Sequence, residues 1–361
     1  MSSSPFLTQG SGSRRTRARA KRRRRRRRLL VCGALITVAA CAAIVFVLTR
    51  SAITHGSTSP STQAKGHARS IARATPTHSP AGLPLGRPPL AFNLSGGDPV
   101  QIAFHHQPRA GLLFNLDTGQ VLWQLNPLEH LHIASLTKMM TALRVVRAAP
   151  PDAPVLITKQ AVESAGSKVG VLPLGKHIRM ETMLYGLLLP SGNDAAVALA
   201  QHVSGSESAF VDGMNGEAAR LGMGCTHYTS PSGYFNARNY SCAADLAELA
   251  HVDLKQPLIA HIVRTYKAVL PFPIKGGKLY LYNNNPLLVY GYPGATGLKT
   301  GYTELAGDCL VATAERGGVR LGVVLLHSPE LGRQAAYLLN QGFENVYHQA
   351  PVHAPPIPSG R

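Results

Sequence analysis

Strand-like patterns at both ends of residues 101–346 enclose a block of helix-like ones, and that order narrows the fold more than any single motif. Residues 112–115 and Val121–Leu125 are rich in β-formers and flank Asp117-Thr118-Gly119, a strand–turn–strand signal. Over residues 135–147, Leu136, Met139, Met140, Leu143 and Val146 recur at helical spacing. Apolar, Ala-rich helical stretches follow at 181–189, 194–203 and from about 208 to 221. Ser241 is placed to cap a helix over 242–252. After residue 260 the pattern returns to strands at 265–270, 279–282, 296–302, 308–314 and Val319–Leu326, with Arg316-Gly317-Gly318 turning between the last two. A helix over 330–341 closes the pattern, and the Pro-rich run from about His348 reads as a flexible tail, 347–361. Such an order predicts an α+β fold, an antiparallel sheet built from both ends of the domain and flanked by helices, with a helical subdomain inserted.

The formal net charge of +19 suggests a nucleic-acid binder until it is mapped. Residues 1–97 hold 17 Lys and Arg and no acid, so 37 − 17 = 20 basic and 18 acidic residues remain for 98–361, a net of only +2. Twelve of the charges lie in 14–28, and residues 29–48 then run uncharged and without proline. As a helix those twenty residues span about 30 Å, a bilayer core. A basic block before an apolar span keeps the N-terminus cytoplasmic and sends the rest across. The expected organisation is therefore a basic tail (1–28), a transmembrane anchor (29–48), a disordered linker (49–97) and an extracytoplasmic folded domain (98–346).

A cleaved secretory signal also exports the domain, but the span is long for one and no clean cleavage site follows. Val38-Ala39-Ala40-Cys41 looks like a lipoprotein site, yet seven more apolar residues follow it. Anionic inner-leaflet lipid accounts for the arginine run without nucleic acid. The segment 50–97 lacks aromatic residues before Phe92 and cannot bury enough apolar surface to order itself. As a coil its 48 residues span roughly 40 Å on average. Cys225 and Cys242 would close a short disulfide loop outside the cell, although three buried thiols, with Cys309, fit the spacing as well.

Ser135-Leu136-Thr137-Lys138 is the one S-x-x-K of the chain. At the start of a helix, Lys138 lies one turn beyond Ser135 on the same face. A serine hydroxyl needs an adjacent base, and a lysine serves once burial or a nearby cation lowers its pKa. Ser191-Gly192-Asn193 follows an apolar helix ending in Leu187-Leu188-Leu189-Pro190 and can present a hydroxyl and an amide to a cleft. Lys299-Thr300-Gly301 lies on a strand, where Lys299 and Gly301 face one way and Thr300 the other. A glycine there clears space for an approaching ligand backbone, and a lysine can hold a carboxylate. Each motif alone reads as a cap, a turn or a solvated strand. Their order and placement are what carry information.

The set resembles the serine penicillin-binding proteins and β-lactamases, which share S-x-x-K, S-x-N and K-T-G. Within that superfamily the contexts Ala134–Thr141, Ser191–Ala195 and Gly297–Thr303 are similar to those of the D-alanyl-D-alanine carboxypeptidases. The resemblance, over roughly 101–346, implies a serine peptidase that trims peptidoglycan stem peptides and is acylated by β-lactams. It implies Ser135 as nucleophile, Lys138 as its base and Ser191 as a relay to the leaving amine. Asn193 would hold the substrate amide, and Lys299 and Thr300 the terminal carboxylate beside Gly301. The backbone N–H groups of Ser135 and Tyr302 would form the oxyanion hole. No cofactor and no metal is implied. Relatives often carry a second β-rich domain and a C-terminal anchor, and the expectation here is that the domain is missing and the anchor N-terminal.

Three rivals use related residues. A class A β-lactamase needs E-x-x-L-N after the second motif, and Glu207 and Glu217 are followed by Ser-Ala-Phe and Ala-Ala-Arg. A D,D-endopeptidase shares every motif. A non-catalytic wall-binding module should have lost Ser135, Lys138 or Lys299. His105-His106 and His130-x-His132 lack the acid pattern of a metallopeptidase.

Overall fold

The computed structural model describes residues 92–234, 238–352 and 356–358. The proposed tail, anchor and most of the linker lie outside the described residues. Among the described residues no helix is long and apolar enough to cross a membrane.

Eleven strands and nine α-helices are formed by the described residues. In chain order they are β1 (Ala110–Asn115), β2 (Val121–Leu125), β3 (Leu131–His132), α1 (Thr137–Ala148), β4 (Pro154–Leu156), α2 (Lys159–Glu163), β5 (His177–Arg179), α3 (Met180–Leu188), α4 (Asn193–Ser204) and α5 (Glu207–Arg220). There follow β6 (Tyr240–Ser241), α6 (Ala243–Leu254), α7 (Pro257–Val263), β7 (Lys267–Pro271), β8 (Lys278–Tyr282), α8 (Pro286–Val289), β9 (Ala295–Thr303), β10 (Gly307–Arg316), β11 (Val319–Leu326) and α9 (Leu331–Gln341).

The main sheet has the order β2-β1-β11-β10-β9, so the first and last strands of the described residues are neighbours in it. Every pairing is antiparallel, with Leu112 opposite Val324 and Thr300 opposite Leu310. Both faces are covered. Leu112, Phe114, Val311 and Val324 join the core made with the helical block, while Leu113, Leu310, Ala312 and Val323 pack with Leu338 and Leu339 of α9. Side chains alternate across a strand, so a sheet buried on both faces must be apolar at consecutive positions, as all six residues of β1 are buried.

Four expectations need correction. The strands expected at 265–270 and 279–282 do not join the main sheet. They form a separate hairpin, β7–β8, because their exposed residues alternate with buried ones and leave one face solvated. Helix α6 is capped at Cys242 rather than Ser241, whose hydroxyl instead pairs with Thr226 Oγ1 at 2.7 Å. The linker boundary at 97 is too late, since the Phe92 ring meets Phe114 edge-on at 5.3 Å. The expected loose tail also packs. Gln349 bonds Phe343 O and Arg316 O, and Ile357 is buried with the α9 side of the core.

Candidate active site

Ser135 lies in a single 3-10 turn, Ala134–Leu136, that leads into α1. The sequence pattern starts the helix at Ser135; α1 starts two residues later because Ala134 takes a left-handed φ of 45°. The Thr137 hydroxyl holds that bend by donating to Ala134 O at 2.8 Å. A left-handed alanine costs on the order of 1 kcal/mol or more, so surrounding contacts must over-determine it.

Lys138 is fully buried. Its Nζ lies 2.8 Å from Ser135 Oγ, 2.7 Å from Asn193 Oδ1 and 2.8 Å from Ser232 O. The last two atoms can only accept. A neutral amine has two N–H groups and one lone pair, so with both N–H groups on carbonyls the lone pair faces the Ser135 hydroxyl. Burial first, and the Lys299 charge second, hold Lys138 well below the usual lysine pKa, against an opposing pull from Asp194. The arrangement favours an amine that can take a proton.

The second motif turns sharply. Ser191 has a left-handed φ of 67°, and its Oγ is buried without a hydrogen-bond partner among the described residues. Such a hydroxyl forfeits about 1–3 kcal/mol until a partner arrives. Asn193 opens α4, and its Nδ2 donates to Ala165 O at 2.6 Å, which fixes Oδ1 toward Lys138. Asp194, read from sequence only as a helix start, does more. It accepts from the backbone N of Val169 and Gly170 at 2.9 and 3.0 Å, tying the 165–170 loop to the motif.

The third motif occupies β9, the edge of the main sheet. Lys299 and Gly301 are buried while Tyr302 is exposed, the alternation a strand requires. Lys299 Nζ donates to Thr300 O at 2.9 Å, and burial lowers its pKa to about 7. Gly301 is explained differently from the expectation. A Cβ there would stand 2.8 Å from Ile133 O and 3.0 Å from Ser135 N. The close neighbour is the turn that carries Ser135, not a ligand backbone. That contact sets the Ser135 N–H beside the strand carrying Tyr302.

One element escaped the sequence reading. Residues 230–233 cross behind the Ser135–Lys138 segment, with Pro231 O accepting from Thr141 Oγ1 at 2.7 Å and Ser232 O from Lys138. Gly233, at φ 73°, passes so close that a Cβ would lie 2.0 Å from Ala134 O. Ser230-Pro231-Ser232-Gly233 is a turn cluster by composition, which marks a loop without saying where it packs. A disulfide joins Cys225 to Cys242 across this loop, resolving the pairing the spacing left open. Cys309 is a buried free thiol, pushed up to about 12 by burial.

Ser135, Ser191, Thr300, Gly301 and Tyr302 all line one cleft of about 550 Å³. Asn193, with Ser232 and Tyr234, instead borders a separate, more open hollow of about 680 Å³. Lys138, behind Ser135, lines neither. A nucleophile-and-lysine pair at a helix start, an adjacent S-x-N turn and a K-T-G edge strand together define a serine peptidase of the penicillin-binding protein fold. Residues 99–330 match the peptidase S11 family, D-alanyl-D-alanine carboxypeptidase, and the chain belongs to that family.

The chain is 35% identical over 256 residues to the D-alanyl-D-alanine carboxypeptidase DacF of Bacillus subtilis, a match covering 69% of this chain and 65% of the relative. Among solved structures it is similar to a D-alanyl-D-alanine carboxypeptidase of Mycobacterium tuberculosis, at TM-score 0.64 and 32% identity over 74% of this chain and 99% of that one. A mutant Streptomyces DD-transpeptidase superposes at TM-score 0.63 with 32% identity, covering 67% of this chain and 99% of its own.

Proposed function

We propose that this protein hydrolyses the terminal D-Ala-D-Ala bond of peptidoglycan stem peptides through an acyl-enzyme on Ser135. The observation that carries this reading is the three-way seating of Lys138, which directs its lone pair at the nucleophile. Ser135 Oγ attacks the carbonyl carbon while its proton passes to Lys138 Nζ. The negative oxygen is met by the N–H groups of Ser135 and Tyr302, each worth about 3 kcal/mol when lost from such a site. Ser191 Oγ, without a hydrogen-bond partner among the described residues, relays a proton to the leaving D-alanine amine. Asn193 is already engaged on both sides, so its main task is to hold Lys138, with any contact to the substrate amide secondary. Lys299 and Thr300 receive the terminal carboxylate, and the free edge of β9 can pair an extended peptide. Water then hydrolyses the acyl ester.

The test measures D-alanine release from a D-Ala-D-Ala peptide together with the lifetime of a penicillin adduct by intact-protein mass spectrometry. A peptide acyl-enzyme loses its leaving group and opens a path for water. Penicillin keeps its leaving group tethered, and no E-x-x-L-N glutamate follows Ser191. Turnover of peptide with an adduct lasting minutes is expected. Adduct loss within a second, with excess penicillin destroyed, would move the chain to the β-lactamases.

The basic block and apolar span of 14–48 support anchoring by a single N-terminal helix with the peptidase outside the cytoplasm. A reporter fused after residue 97 should then be active only if exported, and the whole protein should pellet with membranes. Recovery of a shortened, soluble protein favours a cleaved signal.

A further inference from the structure

The β7–β8 hairpin carries an exposed face that the catalytic scheme leaves unused. The register sets Lys267 opposite Tyr282, Val269 opposite Tyr280 and Pro271 opposite Lys278, and all six are exposed. Tyr266 adds its ring against Tyr282 at 6.3 Å. Lys267 Nζ stands 5.9 Å over the Tyr280 ring and 5.5 Å over the Tyr282 ring. Tyr266, Tyr280 and Tyr282, three of the six exposed tyrosines among the described residues, are thus gathered around Lys267.

Charge points the same way. From Asp253 to Glu304 the chain contains no acid, while Lys255, Arg264, Lys267, Lys275, Lys278 and Lys299 are all basic. Among the described residues no carboxylate pairs with Lys267, Lys275 or Lys278. The patch is also continuous with the catalytic cleft. Asn283 and Asn284, the residues that follow β8, line that cleft, and Asn283 N donates to Tyr266 O at 2.8 Å. Tyr290 and Tyr302 line the cleft as well.

We propose that the exposed face of β7–β8 is a docking surface for the polymeric part of the substrate, a glycan strand bearing carboxylated peptides. The aliphatic faces of sugar rings pack on flat aromatic rings through dispersion, and tyrosine adds a hydroxyl for sugar polar groups. The lysines complement the carboxylates of neighbouring stem peptides, an attraction that salt should weaken. A strand seated on the hairpin delivers one of its peptides to the cleft beside Asn283. This inference rests on the peptidase reading and deepens it.

The test uses the full-length protein with Tyr280→Ser/Tyr282→Ser and Lys267→Gln/Lys278→Gln double variants. The probes are insoluble peptidoglycan, phosphatidylglycerol vesicles and a soluble peptide ending in D-Ala-D-Ala. Both variants should match wild type on the soluble peptide and on penicillin labelling. On insoluble peptidoglycan they should lose about tenfold in kcat/KM, mostly through KM, with co-sedimentation reduced to match. The lysine variant should also bind with a flatter salt dependence. Unchanged turnover and sedimentation on the polymer overturn the proposal. So does an equal loss on soluble peptide, which marks a structural role, or a loss confined to vesicle binding, which marks a lipid contact. Failure of wild type to release D-alanine from the soluble peptide would count against the peptidase reading instead, while sedimentation still judges the surface.

Discussion

Lys138 and Lys299 are both buried near one cleft, but the helical side and the sheet edge hold them differently. Lys138 has three partners, drawn from the nucleophile turn, α4 and the 230–233 loop. Lys299 Nζ makes one hydrogen bond among the described residues, to the carbonyl of its own neighbour. A group that passes a proton must be held still, with every valence assigned. A group that greets a ligand must keep valences in reserve. On the proposed reading the two halves divide the work, with chemistry on the helical side and recognition on the edge strand.

The largest effects should come from the helical side. Ser135→Ala is expected to abolish covalent penicillin labelling with the fold intact by circular dichroism. Lys138→Ala should slow acylation by roughly 10³-fold or more, within the range of general-base losses. Acylation within tenfold of wild type would show that the saturated lysine is not the proton acceptor, and the comparison would break.

Next in size is Lys299→Ala. It should cost about a hundredfold in kcat/KM on peptides with a free terminal carboxylate and far less on amidated ones. Equal losses on the two peptides would place Lys299 in structure rather than recognition.

The pH profile sharpens the contrast further. Lys138 must be neutral to accept a proton, so kcat/KM should fall on the acid side as it becomes charged. Lys299 must be charged to hold a carboxylate. With its pKa lowered to about 7 by burial, kcat/KM of the free enzyme should also fall as pH rises through that region. In Lys299→Arg the alkaline limb should move upward, because a guanidinium keeps its proton. An alkaline limb that stays in place assigns it to another group.

The smallest change tests the seam between the halves. Gly301→Ala puts a methyl 2.8 Å from Ile133 O, so one of the two backbones must shift. Overpacking of this kind costs about 1–3 kcal/mol, or roughly 3–9 °C in Tm, measured by thermal unfolding. Acylation should slow along with it, since the same contact positions Ser135 N. A fully active, equally stable variant would show that the seam is looser than drawn.

These contrasts differ in how well they could be read from sequence. The strands bracketing the helices gave the sheet, because apolar runs broken by Gly turns leave few alternatives. Ser135, Lys138, Ser191 and Lys299 were visible through local spacing. Ser232 was not, because it contributes a backbone carbonyl, and every residue has one. Asp194 was hidden in a different way, since a helix-opening aspartate usually serves its own helix. The reason for Gly301 was misread because the crowding atom belongs to residue 133, remote in sequence. The β7–β8 hairpin was recognised as strands and misassigned to the main sheet, since local alternation cannot say which partner a strand will choose.

The seat of Ile357 has a practical side. A Cβ on Gly332 would lie 2.7 Å from its side chain and 2.9 Å from Pro286, and Ile357 and Pro358 form part of the cleft wall. A truncation after residue 346, where the periodic pattern ends, would remove that part of the wall from the cleft that Ser135 also lines. Replacing Ile357 with a polar residue would alter the cleft wall without touching any of the three motifs. Assays of peptide turnover or drug acylation on a protein shortened after residue 346 would report on an altered cleft as well as on the catalytic motifs.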